Sequence, residues 1–483
     1  MSYYYVLCPS MVCMSDTRTT NVSQVLDSIP TGAFHRRLLA ICGTAWAFDG
    51  MEVILISFTL AVLTGTWGLT GLNAGLLGSA SLMGMVVGNW AWGGYADRYG
   101  RRRAFQATVL TYAVFTGLTA LAWGFDSAFV LRFLTGVGLG GALAVDTTYL
   151  AEHLPSDTRG RYLVYLDAFW PLGNALAVVL AWIFLGLLGD TVTLPVVGAV
   201  AGWRLLFVAA AFPAFFVFVI RVGLSETPYY LARTGQIEAA NDRLRAIADE
   251  SGGTYEPIEA ADVERRESAG VRDLFAPRLR SRTVTIALAW FAINFGYYGV
   301  FIWLPKTFDA AGTVPGIDLG GVTVGGLYVY FLLIALVQFP GYASAAYLVE
   351  NVGRKATLGG YLVASGVFTF VFAAAMPNAG FGLGLSGFWP FFLALLASSF
   401  FTLGAWGAIY AYTPELFPTH LRGTGNGFAG GVGKIAAVLG PILAGALVST
   451  GYVAALLPLA VAFALGGLVV LAFGVETLGE PLH

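Results

Sequence analysis

Six ionisable side chains lie inside otherwise apolar stretches of this sequence, and they are the residues best placed to do chemistry. They are Asp49, Glu52, Arg132, Asp146, Asp167 and Lys434. A charge within a long apolar segment is expensive to bury, so such residues are functional by default. The competing interpretation for each is a buried ion pair that only supports the structure.

Asp49 and Glu52 are three residues apart, which places them on one face of a helix. Two neighbouring carboxylates in a low-dielectric environment cannot both ionise easily, so we expect one of them to hold a proton. Arg132 is predicted to pair with Asp49 until a proton neutralises the acid. The sequence therefore predicts that Asp49, Glu52 and Arg132 couple a proton to the function.

The segments that carry these residues are long apolar helices. The chain has 483 residues, of which 57% are hydrophobic and 11% are charged, against about 25% charged residues in an ordinary soluble protein. This composition excludes a soluble enzyme and indicates lipid as the solvent. Twelve apolar runs extend from 37–63 to 452–474, and a bilayer is crossed by about 20 such residues. We predict an all-α polytopic membrane protein with twelve transmembrane helices in two six-helix halves.

The polar residues divide the chain into five predicted parts. These are a cytoplasmic N-terminal tail at 1–36, a first half at 37–223, a cytoplasmic linker at 224–283, a second half at 284–474 and a cytoplasmic C-terminal tail at 475–483. The linker is predicted to contain an amphipathic helix at 236–250. Arginines concentrate in the loops on one side, and the positive-inside rule places both termini in the cytoplasm of a multi-pass protein of the cell membrane.

The remaining composition argues against other kinds of partner. The net charge of −2 gives no global attraction to nucleic acid. The histidines and the three cysteines (Cys8, Cys13 and Cys42) lack the spacing of a metal site. We predict no nucleic-acid partner, no metal, no cofactor and no disulfide.

Two charged loop motifs occur once in each half. Gly93-x-x-x-Asp97-Arg98-x-Gly100-Arg101-Arg102 has a counterpart in Ala346-x-x-x-Glu350-Asn351-x-Gly353-Arg354-Lys355, and Glu152-x-x-Pro155-x-x-x-Arg159-Gly160 recurs as Glu415-x-x-Pro418-x-x-x-Arg422-Gly423. Duplicated halves are typical of secondary transporters that rock around a central site.

A carboxylate at a helix end can pair with arginines or with a facing helix terminus and so stabilise one state of a gate. We predict a gating role for Gly93, Asp97, Arg98, Gly100, Arg101, Arg102, Glu152, Arg159, Glu350, Gly353, Arg354, Glu415 and Arg422. Glu152 with Arg159, and Glu415 with Arg422, are expected to complete the charge network. Alternatively, the arginines only anchor the loops to lipid headgroups.

These motifs resemble the loop signature of the major facilitator superfamily. The chain resembles transporters of this superfamily over essentially its full length. The segments YLAEHLPSDTRGRYLVYLDAFWPLG, LSETPYYLARTG, RDLFAPRLR, NFGYYG and PELFPTHLRGTG resemble the branch of synaptic vesicle 2-related proteins and bacterial niacin permeases. That branch neighbours the sugar porters and organic ion transporters. The paired glutamines of sugar porters are missing from AWFAINFGYYG, which argues against sugar as cargo.

A cargo cavity needs aromatic and amide groups with few charges. The predicted substrate-binding residues are Trp46, Asp146, Asp167, Trp170, Asn174, Asn294, Tyr297, Tyr298, Gln338, Trp406 and Lys434. The aromatic residues could equally mark membrane interfaces or bundle packing.

We therefore predict a monomeric secondary transporter, a proton-coupled symporter for a small organic acid that works by alternating access in the lipid bilayer. Arg132 or Lys434 would form an ion pair with the carboxylate of the solute. An organic cation or a sugar is the alternative cargo. A non-transporting membrane receptor or scaffold is the alternative of another class, and no cluster of catalytic residues indicates an enzyme.

Overall fold

The computed structural model describes residues 21–141, 145–189, 191–195, 198–259, 270–311, 316–318, 323–376, 387–418 and 421–478. The predicted N-terminal tail lies outside these residues up to position 20, which includes Cys8 and Cys13. The same is true of positions 260–269 of the predicted linker and 479–483 of the predicted C-terminal tail. Cys42 is buried and free.

The described part of the chain from residue 21 to residue 223 comprises the end of the N-terminal tail and the first half, and it forms helices and one β-hairpin. Its helices are α1 (Val22–Ser28), α2 (Ala33–Trp67), α3 (Gly71–Tyr99), α4 (Arg101–Thr119), α5 (Phe125–Gly141), α6 (Thr147–Ala151), α7 (Ser156–Asp167), α8 (Trp170–Ala181), α9 (Gly202–Ala210) and α10 (Phe216–Gly223). A π-helical segment, Trp182–Leu187, continues α8, and a 3-10 turn, Phe212–Phe215, joins α9 to α10. Strands β1 (Thr191–Leu194) and β2 (Gly198–Ala201) pair antiparallel, with Thr191 opposite Ala201.

The second half follows two shorter helices, α11 (Pro228–Arg233) and α12 (Ile237–Ser251), and a 3-10 turn, Val271–Phe275. Its helices are α13 (Arg280–Ala311), α14 (Gly326–Asn351), α15 (Arg354–Ala374), α16 (Phe388–Glu415), α17 (Arg422–Leu447) and α18 (Tyr452–Phe473). Strands β3 (Ile317–Asp318) and β4 (Thr323–Val324) form a short antiparallel pair between α13 and α14.

Among the described residues, ten helical segments are long and apolar enough to cross a membrane. Two predicted spans are absent from that set because α4 begins with three arginines and α5 has only 17 described residues before the chain reaches positions 142–144. Arg101, Arg159 and Arg354, in the first turns of α4, α7 and α15, lie at one end of the bundle, called here the basic end. The other end is called the opposite end.

A small helical layer covers the first half at the basic end. α1 packs against α11 and α12 through a separate apolar cluster that includes Leu26, Leu231 and Leu244. α12 matches the amphipathic helix predicted at 236–250. This layer is tied to the bundle by an ion pair of 2.7 Å between Arg37 Nη1 and Glu250 Oε1. The N-terminal segment and the linker therefore fold together.

The two halves close against each other at the opposite end. A Cβ atom placed on Gly71 of α3 would lie 2.4 Å from the carbonyl oxygen of Gly445 in α17, so only glycine allows this approach. On the corresponding helix faces at the basic end, a Cβ on Gly93, Gly427 or Gly431 would meet nothing within 4 Å. In the described part of the bundle, α3 and α17 are therefore in close contact at the opposite end, and these three glycines have free space beside them at the basic end.

Candidate functional site

A cavity lies between the two halves, near the middle of the spanning helices. Its lining residues are Trp46, Asp49, Met85, Leu139, Asp167, Trp170, Trp290, Tyr297, Tyr298, Tyr342, Leu403, Trp406, Tyr410 and Lys434. Eight of these fourteen residues are aromatic and three are charged. The enclosed space is about 40 Å³, which suffices for a few water molecules. The cavity must widen before an organic solute can enter it.

The aromatic rings line the cavity in two groups, one from each half. Trp46 and Trp170 in the first half have ring centroids 6.1 Å apart. In the second half, Trp406 lies 5.6 Å from Trp290 and 6.2 Å from Tyr297. The groups meet where the Trp170 indole N–H donates to the Tyr297 hydroxyl at 3.0 Å. A flat apolar ring would find aromatic faces on both sides of such a cavity.

Lys434 contributes the only positive charge among the lining residues, and it faces Asp49 across the interface of the halves. The two side chains form no direct ion pair in this conformation and interact electrostatically through space. Both carboxylate oxygens of Asp49 are buried without a hydrogen bond of good geometry, and the Tyr112 hydroxyl interacts with the carboxylate. Asp146 lies behind Asp49, where the two carboxylates repel, and it does not line the cavity. The cavity thus joins a lysine of one half to an acid of the other.

Arg132 does not pair with Asp49, so that prediction is wrong. Its Nη1 lies 3.3 Å from Glu52 Oε2, and its Nη2 donates to the Glu52 carbonyl at 2.9 Å. Thr116 donates to the same carboxylate oxygen at 2.8 Å. Both charged side chains are fully buried and neither lines the cavity. Asp49 and Glu52 both lie on α2, but their side chains point in different directions around its axis. Arg132 of α5 reaches only Glu52.

Asp167 lines the cavity from the end of α7. The Tyr342 hydroxyl and the Trp46 indole interact with its carboxylate. The cavity therefore has a carboxylate at two places, of which only Asp49 faces Lys434.

The three predicted amide residues lie beside the cavity and not in its lining. Asn174 donates to Gln338 Oε1 at 3.0 Å, which joins α8 to α14, and Gln338 donates to Ser399 at 3.2 Å. Asn294 donates to the Trp290 carbonyl at 2.8 Å and packs against Gly433. These amides connect helices around the cavity.

The first loop motif organises a charge network at the basic end. Arg101 pairs with Asp97 at 2.7 Å and with Glu152 at 3.3 Å. Asp97 also pairs with Arg233 of α11 at 3.3 Å. Glu226 accepts the backbone N–H of Arg101 at 2.8 Å and so caps the start of α4. Burial raises the pKa of the Glu226 carboxyl, and the backbone N–H groups that it accepts oppose this rise.

The second half repeats this arrangement. Arg354 pairs with Glu415 at 3.0 Å, and Glu476 accepts the backbone N–H of Arg354 at 2.8 Å. Thr227 and Thr477 donate to Glu152 and Glu415, respectively. Each network ties the helices of one half to the segment that follows that half.

Glu476 is a capping residue that the sequence reasoning missed. The signal was present, because Glu226-Thr227 after the sixth predicted span recurs as Glu476-Thr477 after the twelfth. The lining residues Met85, Leu139, Trp290, Tyr342, Leu403 and Tyr410 were missed as well. Apolar and aromatic residues are too common in spanning helices for their type alone to mark a cavity.

Several predicted gating partners differ in the structure. Arg159 donates to the Leu154 carbonyl and Arg422 to the Pro414 carbonyl, so neither pairs with the glutamate of its own motif. The reason is that Arg101 and Arg354 occupy those glutamates. Arg98 lies over the Tyr99 ring at 5.4 Å. Glu350 forms no ion pair with a described residue.

Arg102 donates to the backbone carbonyl of Arg221 and thereby ties the start of α4 to α10.

Gly100 and Gly353 are required by these caps. Their φ angles are +101° and +116°, and a Cβ atom would lie 2.3 Å from Glu226 Oε2 and 2.4 Å from Glu476 Oε2, respectively.

We expect Gly100→Ala to destabilise the protein by about 1–3 kcal/mol through backbone strain. Gly94→Ala is the matched control, since its Cβ meets nothing within 4 Å. The melting temperatures of both variants are compared with that of the parent protein in the same detergent. Equal melting temperatures for all three proteins would contradict this account.

Comparisons with known proteins agree with the prediction that this chain transports a small solute. A family model described as "Sugar (and other) transporter" matches residues 43–483. The niacin transporter NiaP of Acinetobacter baylyi is 34% identical over 419 residues, which cover 86% of this chain and 88% of that protein. The synaptic vesicle 2-related protein of Pongo abelii is 30% identical over 439 residues, which cover 88% and 75%.

Solved structures show the same fold. The xylose transporter XylE from E. coli, in a partially occluded inward open conformation, superposes with a TM-score of 0.70 at 17% identity, covering 93% of this chain and 100% of that one. At this identity the likeness concerns the fold alone. The predicted twelve-helix major facilitator fold is confirmed.

The fold and the central cavity between two matched halves define a membrane transporter of small solutes, and not an enzyme. The chain belongs to the sugar (and other) transporter family of the major facilitator superfamily. Within that family it is similar to niacin transporters and synaptic vesicle 2-related proteins, as the loop motifs predicted.

Proposed function

We propose that this protein imports a small organic carboxylate, of the size and shape of niacin, together with a proton. The observation that carries the proposal is the position of Lys434, which faces both the aromatic cavity and Asp49. The similarity to niacin transporters supports an aromatic carboxylate as the cargo class.

Lys434 is the residue that we assign to the carboxylate of the solute. Arg132, the other candidate, is already bound by Glu52 and is not in the cavity lining. A hydrogen bond to a charged group contributes about 1.5–3 kcal/mol, enough to select an anion from neutral solutes of the same shape. The aromatic side chains around it would hold the ring.

Competition for Lys434 explains how a proton is coupled to the cargo. Without solute, the lysine compensates the charge of Asp49. A bound carboxylate takes over the lysine and leaves Asp49 as an uncompensated buried charge, which is costly unless the acid accepts a proton. One anion and one proton then occupy the site together. Glu52 has Arg132 as a fixed partner, so we assign it a structural role.

The same proposal covers orientation and gating. The excess of arginine at the basic end supports a cytoplasmic position for that end and for both termini. The described conformation is then inward-facing, which the close contact of α3 with α17 at the opposite end supports. The charge networks around Arg101 and Arg354 hold each half together as a unit while the two halves rock about the cavity.

An organic cation is the second candidate cargo, since Asp49 and Asp167 outnumber Lys434 in the cavity lining. The organic cation/carnitine transporter 7 of Arabidopsis thaliana is 26% identical over 508 residues. If Lys434 stayed paired with Asp49, Asp167 would attract a cation.

A thermal-shift screen of the purified protein separates these candidates, because a bound ligand stabilises by mass action. We expect niacin to raise the melting temperature at lower concentrations than nicotinamide, which has the same ring without the negative charge. Choline and xylose should have no effect. A shift with choline alone would favour the cation, and one with xylose alone would favour a sugar.

A further inference from the structure

A second cavity, of about 320 Å³, lies at the basic end between the first half and the linker helix α12. The start of α2, the start of α4, the end of α10 and one face of α12 surround it. Its charged lining residues are Arg37, Arg102, Arg221, Arg243 and Glu250. This lining has three more positive than negative charges, and the proposed transport cycle does not use it.

Several donors in this basic pocket have no acceptor. Arg221 and Arg243 are exposed, and neither guanidinium forms a hydrogen bond or ion pair with a described residue. The Nε–H group of Arg102 is buried without a partner. Only Arg37 has its charge compensated, by Glu250. Arginine donors that converge on a space without an acceptor are typical of an anion site.

We propose that the basic pocket binds a phosphate group, carried by a lipid headgroup or by a soluble phosphate compound. Guanidinium groups match phosphate oxygens through paired hydrogen bonds. The pocket adjoins the basic ends of spanning helices, where anionic headgroups lie. A phosphate bound there contacts Arg243 of α12 and Arg221 of α10 together, so it ties the linker to the first half.

The test uses the full-length protein and two double variants that remove the same charge. Arg221→Gln with Arg243→Gln alters the pocket, while Arg103→Gln with Arg245→Gln removes two exposed arginines at the basic end outside its lining. In the lipid arm, melting temperatures are compared in nanodiscs of phosphatidylcholine with and without phosphatidylglycerol. In the soluble arm, inorganic phosphate and pyrophosphate are titrated in detergent.

We expect phosphatidylglycerol, the phosphate compounds, or both to stabilise the parent protein and the control variant. The pocket variant should lose most of this shift, with binding weakened by about fivefold for each arginine removed. The arm that responds identifies the source of the phosphate group. The proposal is overturned if neither arm shifts the parent protein, or if both double variants respond equally. Single Arg221→Gln and Arg243→Gln variants answer the same question if the double variant does not fold.

Discussion

Lys434→Gln should weaken niacin binding by about 10- to 150-fold, because it removes a hydrogen bond between charged groups worth about 1.5–3 kcal/mol. The side chain lines the central cavity and faces Asp49 from the other half. Nicotinamide carries no negative charge, so its weaker binding should not change. Calorimetric or thermal-shift titration of both ligands gives the comparison directly.

Two controls make this prediction specific. Lys434→Arg keeps the positive charge and should recover part of the affinity for niacin. An equal loss for niacin and nicotinamide in the glutamine variant would mean that the cavity had changed shape. Unchanged niacin binding would remove Lys434 from the site.

Glu52→Gln should destabilise the protein by about 3–5 kcal/mol, which is the cost of leaving one member of a buried ion pair without its partner. Arg132 and Glu52 are both fully buried, and Glu52 also accepts from Thr116. Asp49→Asn is the comparison one helical turn away, because its carboxylate forms no direct ion pair with a described residue. It should lower the melting temperature less than Glu52→Gln does, since Lys434 lines the central cavity whereas Arg132 is fully buried.

Measuring the melting temperature of both variants in the same detergent tests this assignment. The double variant Glu52→Gln with Arg132→Met removes both charges and should recover stability relative to Glu52→Gln alone. If Glu52→Gln proved as stable as Asp49→Asn and abolished proton-driven uptake, Glu52 would be a coupling residue, as the sequence suggested.

Much of this architecture is predictable from the sequence. Apolar runs of about 20 residues leave few alternatives to spanning helices, and the repeated loop motifs locate the two networks at the basic end. The repeat of Glu226-Thr227 as Glu476-Thr477 also contains the residues that cap α4 and α15.

The pairing of charges inside the bundle was harder to predict. Asp49 and Glu52 are three residues apart on α2, and this spacing alone does not tell which of them lies next to Arg132 of α5. Lys434 and Asp49 line the same cavity from helices of different halves, nearly 400 residues apart in the chain. This arrangement depends on how the halves dock, which local patterns do not encode.

The central claim is that Asp49 accepts the proton when the solute carboxylate takes Lys434. Transport by Asp49→Asn in proteoliposomes tests it most directly, since asparagine mimics the protonated acid. We predict that the variant exchanges labelled niacin for unlabelled niacin at a rate near that of the parent protein, yet fails to accumulate niacin under an inward proton gradient. Protein-free liposomes correct for passive entry of the uncharged acid. Accumulation at the parent level by the variant would contradict the claim.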